Sequence, residues 1–325
     1  MKRRSFLILF FCSVLSLALA PLIGPDGFEG LRHLSGAGDV ETFILLNIRF
    51  PRVLVAFLCG AGLAVGGASF QGMFRNPLAT PYTLGVSSGA AFGAALVIHF
   101  SAAFMSAWVL PAGALLGAMF AVGVVWMTAR LRPDFSPLVL LLAGVAMTFF
   151  FSSLILLIQY SSGLTDSFRL MRWLMGGLTG AQWSDVFWLI PFLLSGIFLL
   201  IRKTRDLDLL SISPEIAAAR GVDVARSRQA IFLGSSLIVA GTVAVCGPIG
   251  FVGMMAPHIC RVLFGNRHSI LLPASMLFGA LFLVLCDTMA RLLLYPTELP
   301  VGIITSFLGG PFFLALLIRR TRTSA

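Results

Sequence analysis

The chain has 325 residues, 58% hydrophobic and 11% charged, with a formal net charge of +10 and a mean hydropathy of +0.98. A soluble domain carries about 25% charged residues, so this composition excludes one and places the chain in a lipid bilayer. The basic residues sit at the ends of apolar runs and form no stripe interleaved with aromatics, which argues against a nucleic-acid partner.

The first 22 residues begin with Lys2, Arg3 and Arg4 and run through an apolar stretch to Ala18-Leu19-Ala20, which mimics a secretory signal. The length of that stretch, and Pro21 directly after the cleavage-like motif, favour an uncleaved first span instead. Apolar runs bounded by charge, glycine or proline predict ten spans, at 5–23, 50–73, 83–100, 108–129, 137–160, 183–201, 229–247, 250–264, 271–294 and 301–318. The eighth is short and rich in Gly and Pro. With the N-terminus inside, 17 of the 23 Lys/Arg are cytoplasmic; Arg32, Arg49, Arg52, Arg169, Arg172 and Arg291 are outside. That asymmetry satisfies the positive-inside rule and makes both termini cytoplasmic.

The chain also repeats. Residues 110–122, LPAGALLGAMFAV, match 272–284, LPASMLFGALFLV, at eight of thirteen positions. Gly60, Leu63, Val65 and Gly67 are echoed with the same spacing by Gly234, Leu237, Val239 and Gly241. Spans 2 and 4 thus pair with spans 7 and 9 and run oppositely through the membrane: an inverted repeat of spans 2–5 and 7–10, an architecture of many transporters. The predicted fold is an all-α polytopic membrane protein, one domain over 1–325. Its many glycines within spans, such as Gly85, Gly89 and Gly93, permit close helix packing.

Several segments interrupt this pattern. Between spans 2 and 3, residues 75–83 read RNPLATPYT, where two prolines break helices and hold the chain extended. Such a stretch is either a tight turn or the lining of a pathway, and Gly247–Gly253 before span 8 has the same two readings. Arg49 and Arg52, at the outer end of span 2, are either snorkelling anchors or a site for something acidic, and their position against the topological bias favours the latter. Asp287 and Arg291, four apart on span 9, are expected to form an intrahelical pair. The four histidines lack metal-ligand spacing, and the five cysteines read as small buried hydrophobes. No GxxxxGK[ST] loop is present, so ATP cannot be used by that route, and no nucleophile–base constellation marks an enzyme.

The longest polar interruption, 202–228, holds six Lys/Arg and four acids. Ser213 suits a helix cap, Pro214 the first helical position and Glu215 the positive helix end. Ile216–Arg220 continue a short helix that Gly221 ends. Docking of a partner protein is the most economical reason for such an element.

At this point the residues resemble the FecCD-type permeases, membrane subunits of ABC importers for ferric siderophores, haem and vitamin B12. The likeness is carried by RFPRVLVAFLCGAGLAVGGASFQGMFRNPLATPYTLGVSSGAAFGA, WLMGG at 173–177, EIAAARGVDV, GPIGFVGMMAPHICR, LPASMLFGALFLVLCDTMARLL and ELPVGIITSFLGGPFF, in order over residues 45–320. The resemblance implies a fold like the vitamin B12 importer permease, working in the inner membrane as a homodimer with a second permease copy or as a heterodimer with a sister permease. It also implies two cytoplasmic ATP-binding subunits that hold ATP and Mg, no cofactor on this chain, and an extracytoplasmic substrate-binding protein. By position, Ser213, Pro214, Glu215, Ala218, Arg220, Gly221, Val222 and Val224 belong to a helix that couples to the ATPase. Arg49, Arg52 and Arg291 correspond to arginines that meet acids on the binding protein. Asn76, Pro77 and Leu78 correspond to an inner gate; span 5 and Arg169–Gly177, with Trp173 and Gly176, correspond to an outer one. Pro137-Leu138 stands where relatives can carry small polar residues. The expected function is ATP-driven uptake of an iron chelate, with haem, cobalamin or molybdate as alternatives. An ion-coupled secondary transporter would want an acid relay, and the only acid away from the ends of a predicted span is Asp287.

Overall fold

A backbone in lipid has no water to bond, so each span must satisfy its own N–H and C=O groups, and helices result. The computed structural model describes residues 2–24, 39–100, 108–132 and 135–323. Its helices in chain order are α1 (Lys2–Leu19), α2 (Phe50–Phe74), α3 (Val86–Phe100), α4 (Val109–Arg130), α5 (Pro137–Ser161), α6 (Leu164–Leu174), α7 (Trp183–Arg202), α8 (Thr204–Ile212), α9 (Pro214–Ala219), α10 (Val224–Cys246), α11 (Val252–Phe264), α12 (His268–Leu292) and α13 (Val301–Thr323). Helical residues Asp39–Ile44 and a π-turn, Leu45–Arg49, lead directly into α2. Among the described residues seven helices are long and apolar enough to cross a membrane, and three shorter apolar ones, Val86–Phe100, Val252–Phe264 and Val301–Leu316, complete the ten predicted spans. Some hydroxyls inside the spans bond back to their own helix: Ser69 Oγ donates to the Val65 carbonyl at 2.9 Å and Thr242 Oγ1 to that of Ile238 at 2.7 Å.

The inverted repeat is visible in the packing. Exchanging the halves turns the α2–α12 contact into α10–α4, α3–α4 into α11–α12, and α3–α5 into α11–α13, and all six contacts exist. Helices α2 and α10, the first of each half, touch each other and are the most buried of the long spans. Both halves also lose helical structure in the same place, before their second helix. In the first half a turn from Asn76 to Thr80 and one 3-10 turn, Pro81–Leu84, separate the α-helices, and in the second an irregular stretch runs from Gly247 to Phe251. Helix α7 lies outside the repeat against α10 and α2, and α1 lies against α12, where Ser13 Oγ donates to the Leu277 carbonyl at 3.0 Å.

Small residues set the closest helix approaches, as expected where lipid supplies no hydrophobic drive between helices. Gly60 of α2 faces Gly279 of α12 so closely that a Cβ on Gly60 would lie 2.2 Å from the Gly279 carbonyl oxygen. Gly93 of α3 meets Gly113 of α4 in the same way, at 2.1 Å. Gly234, the echo of Gly60, meets Gly196 of α7: a Cβ on Gly196 would lie 2.6 Å from the Gly234 carbonyl oxygen. Overpacking costs about 1–3 kcal/mol, so Gly279→Leu should lower the thermal midpoint of the purified protein in detergent. Gly123→Leu, at a site with nothing within 4 Å of the added Cβ, should leave that midpoint unchanged.

Candidate functional site

Polar chemistry is concentrated at the two ends of the bundle. At one end, Arg52 emerges from the first turn of α2 and is only 7% exposed. Its Nε and Nη2 donate to Asp287 on α12, Nη2 to Oδ1 at 2.9 Å, while Nη1 donates to both Glu298 oxygens at 2.8 and 2.9 Å. Glu298 also accepts from Thr179 Oγ1 at 3.3 Å. One planar guanidinium therefore ties α2, the last turns of α12, the loop before α13 and the 175–182 segment. The expected Asp287–Arg291 pair does form, with Arg291 Nε 3.4 Å from Asp287 Oδ2, but Arg52 is the nearer partner. Sequence reasoning confined to one helix could not see a partner 235 positions away. Arg291 further donates from Nη2 to the Ala20 carbonyl at 3.1 Å. Arg49, Arg52 and Arg291 thus share one end, but Arg52 points inward and has its donors engaged by carboxylates of its own chain.

The same end holds a non-helical crossing. Helix α6 stops at Trp173–Met175, and Gly176 and Gly247 both take positive φ, +68° and +67°. Their backbones nearly touch: a Cβ on Gly176 would lie 2.4 Å from the Pro248 carbonyl oxygen, and one on Gly247 2.6 Å from that of Trp173. The Gly177 N–H donates to the Cys246 carbonyl at 2.9 Å, and the Gly302 N–H to that of Gly176 at 3.2 Å. The stretches around Gly176 and Gly247, separate in the sequence, are here one joint linking α6, α10, α11 and the start of α13. Beside it opens a cavity of about 530 Å³ lined by Arg169, Arg172, Trp173, Gly177, Thr179 and Glu298.

At the opposite end, Arg75 closes α2 in the left-handed region at φ +51°. Asn76 Oδ1 then accepts from the Leu78 N–H at 2.9 Å, and the Ala79 N–H donates to the Asn76 carbonyl at 3.1 Å. Asn76 and Pro77 are half-buried and Leu78 is exposed, so the tight-turn reading of this segment holds locally. The turn borders a cavity of about 870 Å³ lined by Arg75, Asn76, Pro77, Arg261, Arg267 and His268. Arg261 Nη1 donates to Gln71 Oε1, which joins α11 to α2.

The polar 202–228 segment lies at this second end and folds as two helices, α8 and α9, where the sequence reading had only the second. Ser213 Oγ accepts from the Glu215 and Ile216 N–H groups at 3.1 and 3.3 Å and donates to Glu215 Oε2. Pro214 occupies the first turn, as the cap requires. The Glu215 carboxyl lies below the usual carboxylate range, chiefly through the Ser213 hydroxyl and its own backbone N–H. Gly221 turns the chain at φ +80°, with its N–H donated to Ala218 and the Val222 N–H to Ala217. Ala217 faces inward, while Glu215, Ala218, Arg220 and Gly221 are exposed and Val222 and Val224 half-buried. Asp223 Oδ1 caps α10 through the Arg226 N–H at 3.0 Å. Among the described residues no group of three or more His, Cys, Asp or Glu is placed to hold a metal ion, and four of the five cysteines are buried.

Two inverted halves of apolar helices, broken at matching places and carrying a capped polar helix at one end, define a polytopic transport subunit. The chain matches the FecCD transport family over residues 6–319 and belongs to that family, as the permease of an ABC importer. It is 39% identical over 282 residues to the cobalamin import system permease of Halobacterium salinarum, covering 87% of this chain and 75% of that one. It is 38% identical over 289 residues to the hemin transport system permease of Yersinia pestis, covering 88% and 86%. A solved structure described as an inward-facing conformation of a metal-chelate type ABC transporter superposes with a TM-score of 0.88 at 33% identity, over 98% of this chain and 99% of that one.

Removing one partner of a buried ion pair costs about 3–5 kcal/mol because a charge is left unmatched. Arg52→Ala should therefore lower the thermal midpoint markedly, since Asp287 is 1% exposed. Glu298→Gln should lower it much less, because the Glu298 side chain is 34% exposed and water can replace the lost partner.

Proposed function

We propose that this permease carries a ferric siderophore or a related iron chelate inward across the inner membrane, powered by separate ATPase subunits. The observation that carries this reading is the capped helix α9, which presents Glu215, Ala218, Arg220 and Gly221 to solvent at one end of the bundle. In this reading that end is cytoplasmic, as are both termini, and α9 with Val222 and Val224 seats in a cleft of an ATP-binding subunit. ATP and Mg bind there, not on this chain. A second copy of the permease completes the pathway, and a substrate-binding protein delivers cargo at the Arg52 end.

The physical logic is alternating access. A displaced α9 tilts one half of the bundle against the other about the non-helical breaks, opening the pathway toward alternate sides in turn. Asn76, Pro77 and Leu78 border it at the inner end; Trp173 and Gly176 border it at the outer joint. Acidic groups of the binding protein find Arg49 and Arg291 at the docking end, while Arg52 holds that end in shape through Asp287 and Glu298. The haem and cobalamin readings stand beside the siderophore one because relatives named for haemin and cobalamin are about equally similar.

The test is uptake by vesicles containing the permease and its ATPase, with the binding protein loaded in turn with ferric citrate, a ferric hydroxamate, haemin and cobalamin. ATP-dependent accumulation of an iron chelate is expected. Accumulation driven by a proton or sodium gradient without ATP would overturn the reading. Gly221→Val forces a β-branched residue into the left-handed region at about 1–2 kcal/mol, at a site with nothing within 4 Å of the added Cβ. That variant should hold its thermal midpoint within a few degrees while ATP-driven uptake falls. Undiminished uptake would remove α9 from the coupling role.

A further inference from the structure

Helix α12 begins at His268 behind Arg267, and Arg267 supplies no side-chain cap. The cap comes from elsewhere. Asp208 of α8 accepts at Oδ1 from the His268 backbone N–H and from ring Nδ1, each at 2.7 Å. A carboxylate placed there satisfies an open N–H and complements the positive end of the helix. An ionised carboxylate can only accept, so the ring proton sits on Nδ1. Burial pushes the Asp208 carboxyl up, but the hydrogen bonds from the His268 side chain and backbone, with the charges of His268 and Arg267, outweigh it and hold the group below its ordinary range.

The other edge of the ring faces a third element. His268 is 2% exposed, and a Cβ on Gly72 of α2 would lie 2.6 Å from Nε2 and 3.2 Å from Cε1. The ring is therefore seated on the backbone of α2, in a notch that only glycine leaves open. Among the described residues Nε2 has no hydrogen-bond partner, so its contact with α2 is steric. Helix α8 has a second polar anchor on α10, where Ser227 Oγ donates to Asp206 Oδ2 at 2.6 Å and Lys203 Nζ to the same oxygen at 2.9 Å.

We propose that Asp208 and His268 are positioning residues that carry displacement of the 202–228 segment into the α2–α12 pair, a role that rests on the docking of that segment on an ATPase. Helix α8 joins the exposed α9 to the bundle by two polar links, both on the second half, and meets the first half at Gly72, where the His268 ring and Leu207 lie against α2. Through Asp206 it pulls on α10, and through Asp208 it pulls on α12 and, by the ring, on α2. Loss of the Asp208–His268 link leaves the segment able to receive the ATPase but pulling on α10 without the α2–α12 pair.

The assembled permease–ATPase complex in lipid nanodiscs is compared with and without ATP and Mg by hydrogen exchange over 213–221 and over 66–74, alongside ATP hydrolysis. In the unsubstituted complex both regions should respond to nucleotide. In Asp208→Ala and His268→Ala the response at 213–221 and the hydrolysis should persist. The response at 66–74 should fall at least about fivefold, the scale of a site-to-site coupling. His268→Asn, which can donate to Asp208 from Nδ2, should restore most of it. Gly72→Ala, which pushes the ring from its seat, should reproduce the loss from the α2 side. An unchanged response at 66–74 in the alanine variants would overturn the proposal. So would joint loss of both responses and of hydrolysis in every variant, the asparagine included, because the pair would then only hold the segment in shape. No nucleotide response at 213–221 in the unsubstituted complex would sink the docking reading and this linkage with it.

Discussion

The seam between α2 and α12 is the contact on which the rest of the structure depends. The two helices run antiparallel and touch backbone to backbone at Gly60 and Gly279. Arg52 clasps Asp287 at one end, and the His268 ring sits on Gly72 at the other. Three kinds of contact, at three heights, make the pair a single stiff unit: close dispersion packing in the middle, a buried ion pair above it and a steric seat below. Because α2 opens the first half and α12 lies in the second, this unit locks the halves together along one edge. α-Helical hydrogen bonding stops instead at Asn76–Gly85, which keeps one 3-10 turn, and at Gly247–Phe251, equivalent positions in the two halves.

The charged groups follow the rule that in lipid a charge must find its partner inside the protein. Arg52 is stabilised by two carboxylates and Asp287 by two arginines, so the cluster is balanced within itself. Buried arrangements of this kind contribute fidelity of placement more than net stability. Here they align the ends of α2 and α12 with the loop that leads into α13.

The spans were legible in the sequence because each is a long apolar run closed by charge, glycine or proline, and the runs matched the helices to within a few residues at most ends. Helix α9 was legible too, since Ser213, Pro214, Glu215 and Gly221 are local signals that act within one turn. What remained hidden was non-local. Helix α8 has a mixed sequence, TRDLDLLSI, with no capping residue of its own, and its apolar face is defined only by packing of Leu207 and Leu210 into the bundle. Glu298 lies in a loop whose folding back toward Arg52 no periodicity announces. The joint of Gly176 with Gly247 was visible only as two separate interruptions, because pairing across 71 positions is a property of topology. One faint signal existed: α12 starts without Ser, Thr, Asp or Asn at its cap, which implies a cap supplied from another element.

The paired glycines Gly60 and Gly234 bear on how such a chain arises. They occupy the same place in the two halves, as expected if one ancestral unit was duplicated and inserted in opposite senses. Their neighbours have nevertheless diverged. Gly60 admits Gly279 from the other half, whereas Gly234 admits Gly196 of α7, a helix with no counterpart in the duplication. A small residue kept in both copies thus answers to two different demands. The same small residue opens a path for the other half's backbone in one copy and for a helix outside the repeat in the other, so sequence symmetry between the halves does not carry over into symmetry of their neighbours.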